Sequence, residues 1–142
     1  MTDVNLVHII KHKRLLYLKR GDFIVKTYSV CLGKQPLGAK QFEGDEKTPE
    51  GSYTIYHKSI KSSFYKSLGI SYPNEEEKKY AESINKPAGG QIRIHGFKND
   101  FEGDQAEGKK TDWTSGCIAV TNAEMDEIFE MVNVGTRILI EP

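Results

Sequence analysis

The chain has 142 residues, 37% of them hydrophobic, and 20 Lys+Arg balance 20 Asp+Glu, so it carries no formal net charge. Length and apolar content suit one domain, residues 1–142, with a buried core, and the neutral balance argues against a general nucleic-acid binder, which needs a basic excess. No apolar run approaches the ~20 residues of a membrane span, and Met1-Thr2-Asp3-Val4-Asn5 opens directly in soluble-type sequence, which fits retention in the cell, another export route or a removed leader.

Val4 to Lys11 alternates as a strand, with Leu6, His8 and Ile10 on one face and Val7 and Ile9 on the other. Lys11-His12-Lys13 is turn-like, Arg14 to Lys19 is a second strand, and Arg20-Gly21-Asp22 makes a tight connection. Phe23 to Leu32 is a third strand rich in Ile, Val, Thr and Tyr. Short turns between consecutive strands predict an antiparallel meander, with His8 and His12 as face or surface residues. Cys31, in Tyr28-Ser29-Val30-Cys31-Leu32, reads as a small half-buried thiol. Two cysteines in a chain of this length are no disulfide framework.

Gly33 to Glu50 is punctuated by Gly33, Pro36, Gly38, Gly44 and Pro49, which predicts a long loop, and loops of this length are often functional. Ser52 to His57 is a strand, in which His57 reads as structural. Lys58 to Asn74 reads as irregular. Glu75 to Asn85 is a helix with acids in its first turn, closed by Pro87-Ala88-Gly89-Gly90. Gln91 to His95 is a short strand. Phe97 to Asp112 is a second long polar loop, whose acids do not match a Ca²⁺ loop, so neither metal nor cofactor is expected. After Cys117 comes the apolar run Ile118-Ala119-Val120. Thr121 and Glu124 then have the spacing of a capping box that opens a helix from Asn122 to Met131. Gly135 stops it, and Thr136 to Ile140 is the last strand. The sum is mainly β with α+β character, a curved or sandwiched sheet with one or two short helices.

A thiol of pKa ~8.5 is largely protonated at neutral pH and needs a neighbouring base or a helix N-terminus to attack a carbonyl. Cys117 stands on a Ser115-Gly116 turn, and His95 ends a strand beside Gly96. The pair has the parts of a cysteine nucleophile site. The backbone N–H groups of Gly116 and Cys117 are natural oxyanion donors, and a glycine there allows close approach to a substrate. These parts predict acyl transfer through a thioester, with an amine or water as acceptor.

Ile94-His95-Gly96 followed by Ser115-Gly116-Cys117-Ile118 resembles the signature of the YkuD-type L,D-transpeptidases, bacterial enzymes that cross-link peptidoglycan. Gly44-Asp45 and Lys47-Thr48-Pro49-Glu50-Gly51-Ser52-Tyr53 resemble that family's approach to its fourth strand, and Arg14-Leu15-Leu16-Tyr17 and Gly135-Thr136-Arg137-Ile138 also fit. The resemblance implies a curved β-sandwich, Cys117 as nucleophile and His95 as base. It implies that Gly96 orients the imidazole and that Gly116, Cys117 and the adjoining Ser115 form the oxyanion site. It implies attack on the carbonyl of the third residue of a tetrapeptide stem, usually a diamino acid, with loss of D-Ala. It makes Tyr72, Trp113, Thr114 and Tyr53 candidate substrate contacts, peptidoglycan stem peptides the partner, and the periplasm or cell wall the location. The chain departs from the common pattern at Ser115, where the family often has His, and at Ala119, where it often has Arg. With Asp112-Trp113-Thr114 these resemble a D-W-T-x-G-C-I-A sub-branch that includes hydrolases. The alternative is therefore an L,D-carboxypeptidase or amidase that cleaves stem peptides or protein–peptidoglycan links, including as a secreted toxin. The sequence carries no signal for oligomeric state.

Overall fold

Alternating apolar residues build the first two strands of the computed structural model, which describes residues 4–142. Met1 to Asp3, and with them most of the stretch read as leaderless, lie outside the described residues. β1 (Leu6–Ile10), β2 (Leu15–Arg20) and β3 (Phe23–Ser29) form the expected antiparallel meander. Val7 pairs with Leu18 and Ile9 with Leu16, and all four are fully buried. β3 ends three residues short of its predicted limit. Beyond it, Cys31 bridges Ala119 and Gly33 bridges Thr114, so the chain leaves the meander to meet the far end of the sheet.

The remaining strands are β4 (Gly51–Ser62), β5 (Tyr65–Ile70), β6 (Arg93–His95), β7 (Ile118–Ala119) and β8 (Arg137–Glu141). Together they give one eight-stranded sheet in the order β3-β2-β1-β8-β4-β5-β6-β7. β8 is parallel to β1 and antiparallel to β4. β4 belongs to both halves: Gly51 to Thr54 pair with β8, whereas Ile55 to Ser62 pair with β5 across two irregularities in register. Side chains from both halves, among them Leu16, Ile138, Ile55, Leu68, Ile94 and Ile118, meet in one core. This sheet-dominated, curved architecture with few short helices is the fold class that the sequence predicts.

The stretch from Lys58 is a correction. It is not irregular: β4 runs on to Ser62 and returns as β5. The outer half of β4 is polar: Ser59, Lys61 and Ser62 stand on the margin of a cleft rather than over the core, and Lys58 reaches the Phe129 carbonyl, so the two-residue apolar period is absent there. Gly69 sits within β5 because the Tyr56 ring covers it, leaving a Cβ only 3.0 Å from the ring.

α1 (Glu75–Ser83) and α3 (Asn122–Met131) begin with capping boxes, Asn74 with Glu77 and Thr121 with Glu124. α3 buries Met125 and Ile128 and packs on β5. The loop predicted after Phe97 contains one short helix, α2 (Gln105–Gly108), capped by Asp104. Among the described residues no helix is long and apolar enough to cross a membrane.

The loop from Gly33 to Glu50 is held by side-chain bonds to its own backbone. Asp45 accepts from the N–H groups of Gln41, Phe42 and Lys47 and from Lys40 Nζ at 3.0 Å. The Lys40 and Asp45 side chains are 3% and 4% exposed. Lys11, itself buried, donates to the Gly38 and Thr48 carbonyls and to Glu50. Burial alone would raise the Asp45 carboxyl, but the Gln41 N–H, the Lys40 ammonium and the other amides outweigh it and hold it below the usual carboxylate range. A depressed folded-state value means that this stabilisation is complete above the ordinary value of 3.8 and is lost as pH falls through the folded one. Asp45→Ala leaves Lys40 buried without its counter-charge, and urea unfolding should show a loss of about 3–5 kcal/mol. Asp45→Asn, which keeps an acceptor, should lose less.

Candidate active site

β6 and β7 lie side by side and parallel, Ile94 opposite Ile118 and His95 opposite Ala119. Ile94, Ile118 and Ala119 are fully buried. Strand alternation therefore turns Arg93 and His95 to the opposite face, where both line a cleft of about 650 Å³ together with Cys117. That volume suits a small-molecule or peptide cleft.

Cys117 directly precedes β7, on a turn that Thr114 fastens. The Thr114 hydroxyl donates to the Cys117 carbonyl at 2.7 Å and accepts from the Gly116 N–H at 3.1 Å. Gly116 has φ 137, and a Cβ there would stand 2.7 Å from the Lys47 carbonyl oxygen. Gly33 is pressed from the same side: its Cβ would meet the Glu46 carbonyl oxygen at 2.2 Å and the Gly116 Cα at 3.0 Å. Only glycine fits either place. The Thr48 hydroxyl, fully buried, accepts from the Gly33 N–H. The Gly44-to-Gly51 stretch is thus the wall behind the thiol.

The Cys117 thiol accepts from the Arg93 N–H at 3.3 Å and donates to the Gln91 carbonyl at 3.4 Å. Burial pushes it above the ordinary thiol value, against the pull of the Arg93 N–H and the Arg93 charge. His95 is 4% exposed. Its Nδ1 lies 2.7 Å from the Gly96 carbonyl oxygen, which can only accept, so Nδ1 carries the proton and Nε2 keeps its lone pair. The Phe64 ring lies 4.4 Å from the imidazole, centroid to centroid, and the Trp113 ring 5.9 Å. Burial lowers the His95 pKa to about 4, against the Gly96 carbonyl, which favours the charged form. At neutral pH the pair therefore rests as neutral thiol and neutral imidazole.

The structure brings His95, Cys117, Trp113, Thr114 and Ser115 to one cleft, with the Gly96 carbonyl behind the imidazole. Thr114 is buried and acts on the turn. The Gly116 N–H is taken up by Thr114, while the Cys117 N–H meets no acceptor among the described residues. Trp113 packs against Phe97, and its Nε1–H is buried. Asp112 accepts from Arg14 and from the Leu32 N–H, tying this segment to the meander. Tyr72 is not brought to the cleft: it is buried, donates to the Ala88 carbonyl and meets Tyr53 edge-on. Tyr53 likewise is buried and donates to Glu77. Burial pushes the Cys31 thiol up to about 11. The start of α3 faces Phe97 and Gln105 rather than the thiol. His8 pairs with Glu141 and Lys19, and His12 with the Pro142 carbonyl, away from the cleft. His57 is exposed and lines the cleft. Sequence reasoning missed Phe64 and Arg93; the place of Arg93 two residues before His95 on a strand was the available signal for it. Among the described residues no three His, Cys, Asp or Glu side chains are grouped to hold a metal ion.

The profile of the YkuD family, L,D-transpeptidase catalytic domain, matches residues 4–140. The Escherichia coli (strain K12) protein named "Putative L,D-transpeptidase YafK" is 32% identical over 135 residues, which are 89% of this chain and 46% of that protein. The helical cell shape determining protein Pgp2 from Campylobacter jejuni, solved as its K307A mutant, superposes with a TM-score of 0.71 at 25% identity, covering 99% of this chain and 47% of that one. The L,D-transpeptidase from Xylanimonas cellulosilytica DSM 15894 shares the fold, with a TM-score of 0.62 at 17% identity over 99% of this chain and 61% of that one. The chain spans less than half the length of the curated relative it matches.

The two thiols differ in burial, and the difference is measurable. Iodoacetamide should alkylate Cys117 in the native protein and spare Cys31 until unfolding, as read by intact mass and peptide mapping. The rate at Cys117 should climb without a plateau from about pH 6 to pH 9, because the resting thiol is protonated. A plateau already present at about pH 6 would reveal a thiolate–imidazolium pair instead.

Proposed function

The chain belongs to the YkuD family of L,D-transpeptidase catalytic domains, and we propose that it is a single domain that catalyses acyl transfer on peptidoglycan stem peptides, through a thioester on Cys117 with His95 as base. The observation that carries this reading is the Nε2 of His95, without a partner among the described residues and in one cleft with Cys117, on a ring whose other nitrogen is pinned to Gly96. Nε2 takes the thiol proton as sulfur attacks the carbonyl of the third stem residue. The Cys117 N–H, which meets no acceptor among the described residues, stabilises the oxyanion. The imidazolium then gives its proton to the departing D-Ala amine, the C–N bond breaks and the thioester remains. An amine on a second stem attacks this thioester, Nε2 takes its proton, and sulfur leaves and is reprotonated. A neutral resting pair suits this sequence, since the charge separates only as the bond to sulfur forms. The partner is the stem peptide, and the place of action is the periplasm or cell wall.

A second reading, hydrolysis by the same thioester, rests on the exposure of Ser115 beside a partly exposed Cys117, which lets water reach the acyl group. Purified muropeptide tetrapeptides, with and without an amine acceptor, separate the two by mass spectrometry. Cross-linked dimers or D-amino-acid exchange products identify transfer, and tripeptide alone identifies a carboxypeptidase. Cys117→Ala and His95→Ala should both abolish product while keeping the fold; identical products from Cys117→Ala would sink the nucleophile assignment.

Two further outcomes follow from the geometry. The acid limb of kcat/KM should fall at about pH 4, where His95 takes up its proton, rather than near the ordinary 6.5. Thr114→Val removes the hydroxyl that holds both Gly116 and Cys117, and should lower kcat about 10- to 100-fold while Cys117 remains open to alkylation.

A further inference from the structure

The cleft has a charge asymmetry that the thiol and imidazole do not use. Arg93, Lys61 and Lys98 line it, and among the described residues no Asp or Glu does, although the whole chain is neutral. Arg93 projects from the same face of β6 as His95 and is partly buried. Its guanidinium donates from Nη2 to Gln91 Oε1 at 2.6 Å, and its Nη1 lies 3.5 Å from Ser67 Oγ. Both partners are neutral, and both residues line the cleft. They orient the guanidinium without compensating its charge, and among the described residues no carboxylate pairs with it. A partly desolvated cation held in this way favours an anion at its open edge. The backbone of the same residue fixes the nucleophile, since the Arg93 N–H donates to Cys117 Sγ. The cation and the attacking sulfur thus share one anchor.

We propose that Arg93 is the specificity-determining residue of this cleft, its guanidinium taking the terminal carboxylate of the peptide whose preceding carbonyl Cys117 attacks. In a peptide that ends in D-Ala, one nitrogen and one carbon separate that carboxylate from the attacked carbonyl. An anion held by Arg93 therefore sets the scissile bond over the thiol. The planar fork of arginine suits a carboxylate, and lysine keeps the charge but not the two-point geometry. Lys61 and Lys98 add to the positive field at the rim. The identity of the peptide rests on the acyl-transfer reading above; the carboxylate site does not.

The test measures binding rather than turnover. Cys117→Ala protein is titrated calorimetrically with a stem tetrapeptide that has Lys at its third position and a free D-Ala carboxylate, and with the same peptide as its C-terminal carboxamide. The acid should bind about 10- to 100-fold tighter than the amide. Adding Arg93→Gln should erase that preference, and adding Arg93→Lys should keep part of it. An acid preference that survives Arg93→Gln, or no preference before Arg93 is changed, overturns the proposal; so does equal weakening of both peptides by Arg93→Gln and Arg93→Lys. Product analysis of the wild type stands apart. An Arg93-dependent preference without any Cys117 acyl-enzyme would leave the carboxylate site standing and the acyl-transfer reading refuted.

Discussion

Three stretches of backbone meet behind Cys117 with no room for a side chain. Gly33 touches Gly116, and the 46–47 carbonyls press on both from the loop. This contact sets the height of the thiol over the cleft, and several features otherwise far apart serve it. The Asp45 network shapes the loop, Lys11 ties the loop to the turn after β1, and Thr48 binds the Gly33 amide. A loop with little regular structure becomes as rigid as a strand when its amides are taken by buried side chains. The meander and the Cys117 turn are thus locked together through main chain, where side-chain repacking cannot relax an error.

The electrostatics of the site follow from burial. Desolvation disfavours the charged form of both groups, so it raises the thiol and lowers the imidazole. The resulting neutral pair sits in apolar company, with Phe64 and Trp113 around the ring. The same arrangement costs stability in acid. Between the ordinary His value of 6.5 and the folded value of about 4 the unfolded chain binds the proton more readily, so stability falls as pH drops through that window.

Much of this was legible in the residues. Alternation located the meander and the last strand, and the Thr121 and Glu124 spacing located the start of α3, because each pattern reports a local rule. The turn before Cys117 and the strand that ends on His95 were found from short motifs. What stayed hidden depends on neighbours that are remote in sequence. The outer half of β4 lines a cleft instead of a core, so its polar run looked like loop. Tyr72 and Trp113 are both aromatic residues beside breaks in pattern, yet one is buried against Tyr53 and the other lines the cleft. Nothing local separates them. The two backbone partners of the Thr114 hydroxyl were likewise beyond local reading.

The place of β8 has a consequence for how the molecule assembles. It is made well after Cys117, yet it lies in the middle of the sheet, between β1 and β4. Leu6 pairs with Arg137 across nearly the whole described chain. Closing so long a loop is entropically costly and slow, and the reward comes only when both neighbours of β8 are in place. Until then β1 and β4, the two strands that β8 will join, each present an open edge. During synthesis, then, Cys117 emerges as an ordinary thiol on an incomplete scaffold. The fold that buries it closes only when the last strand takes its place between β1 and β4.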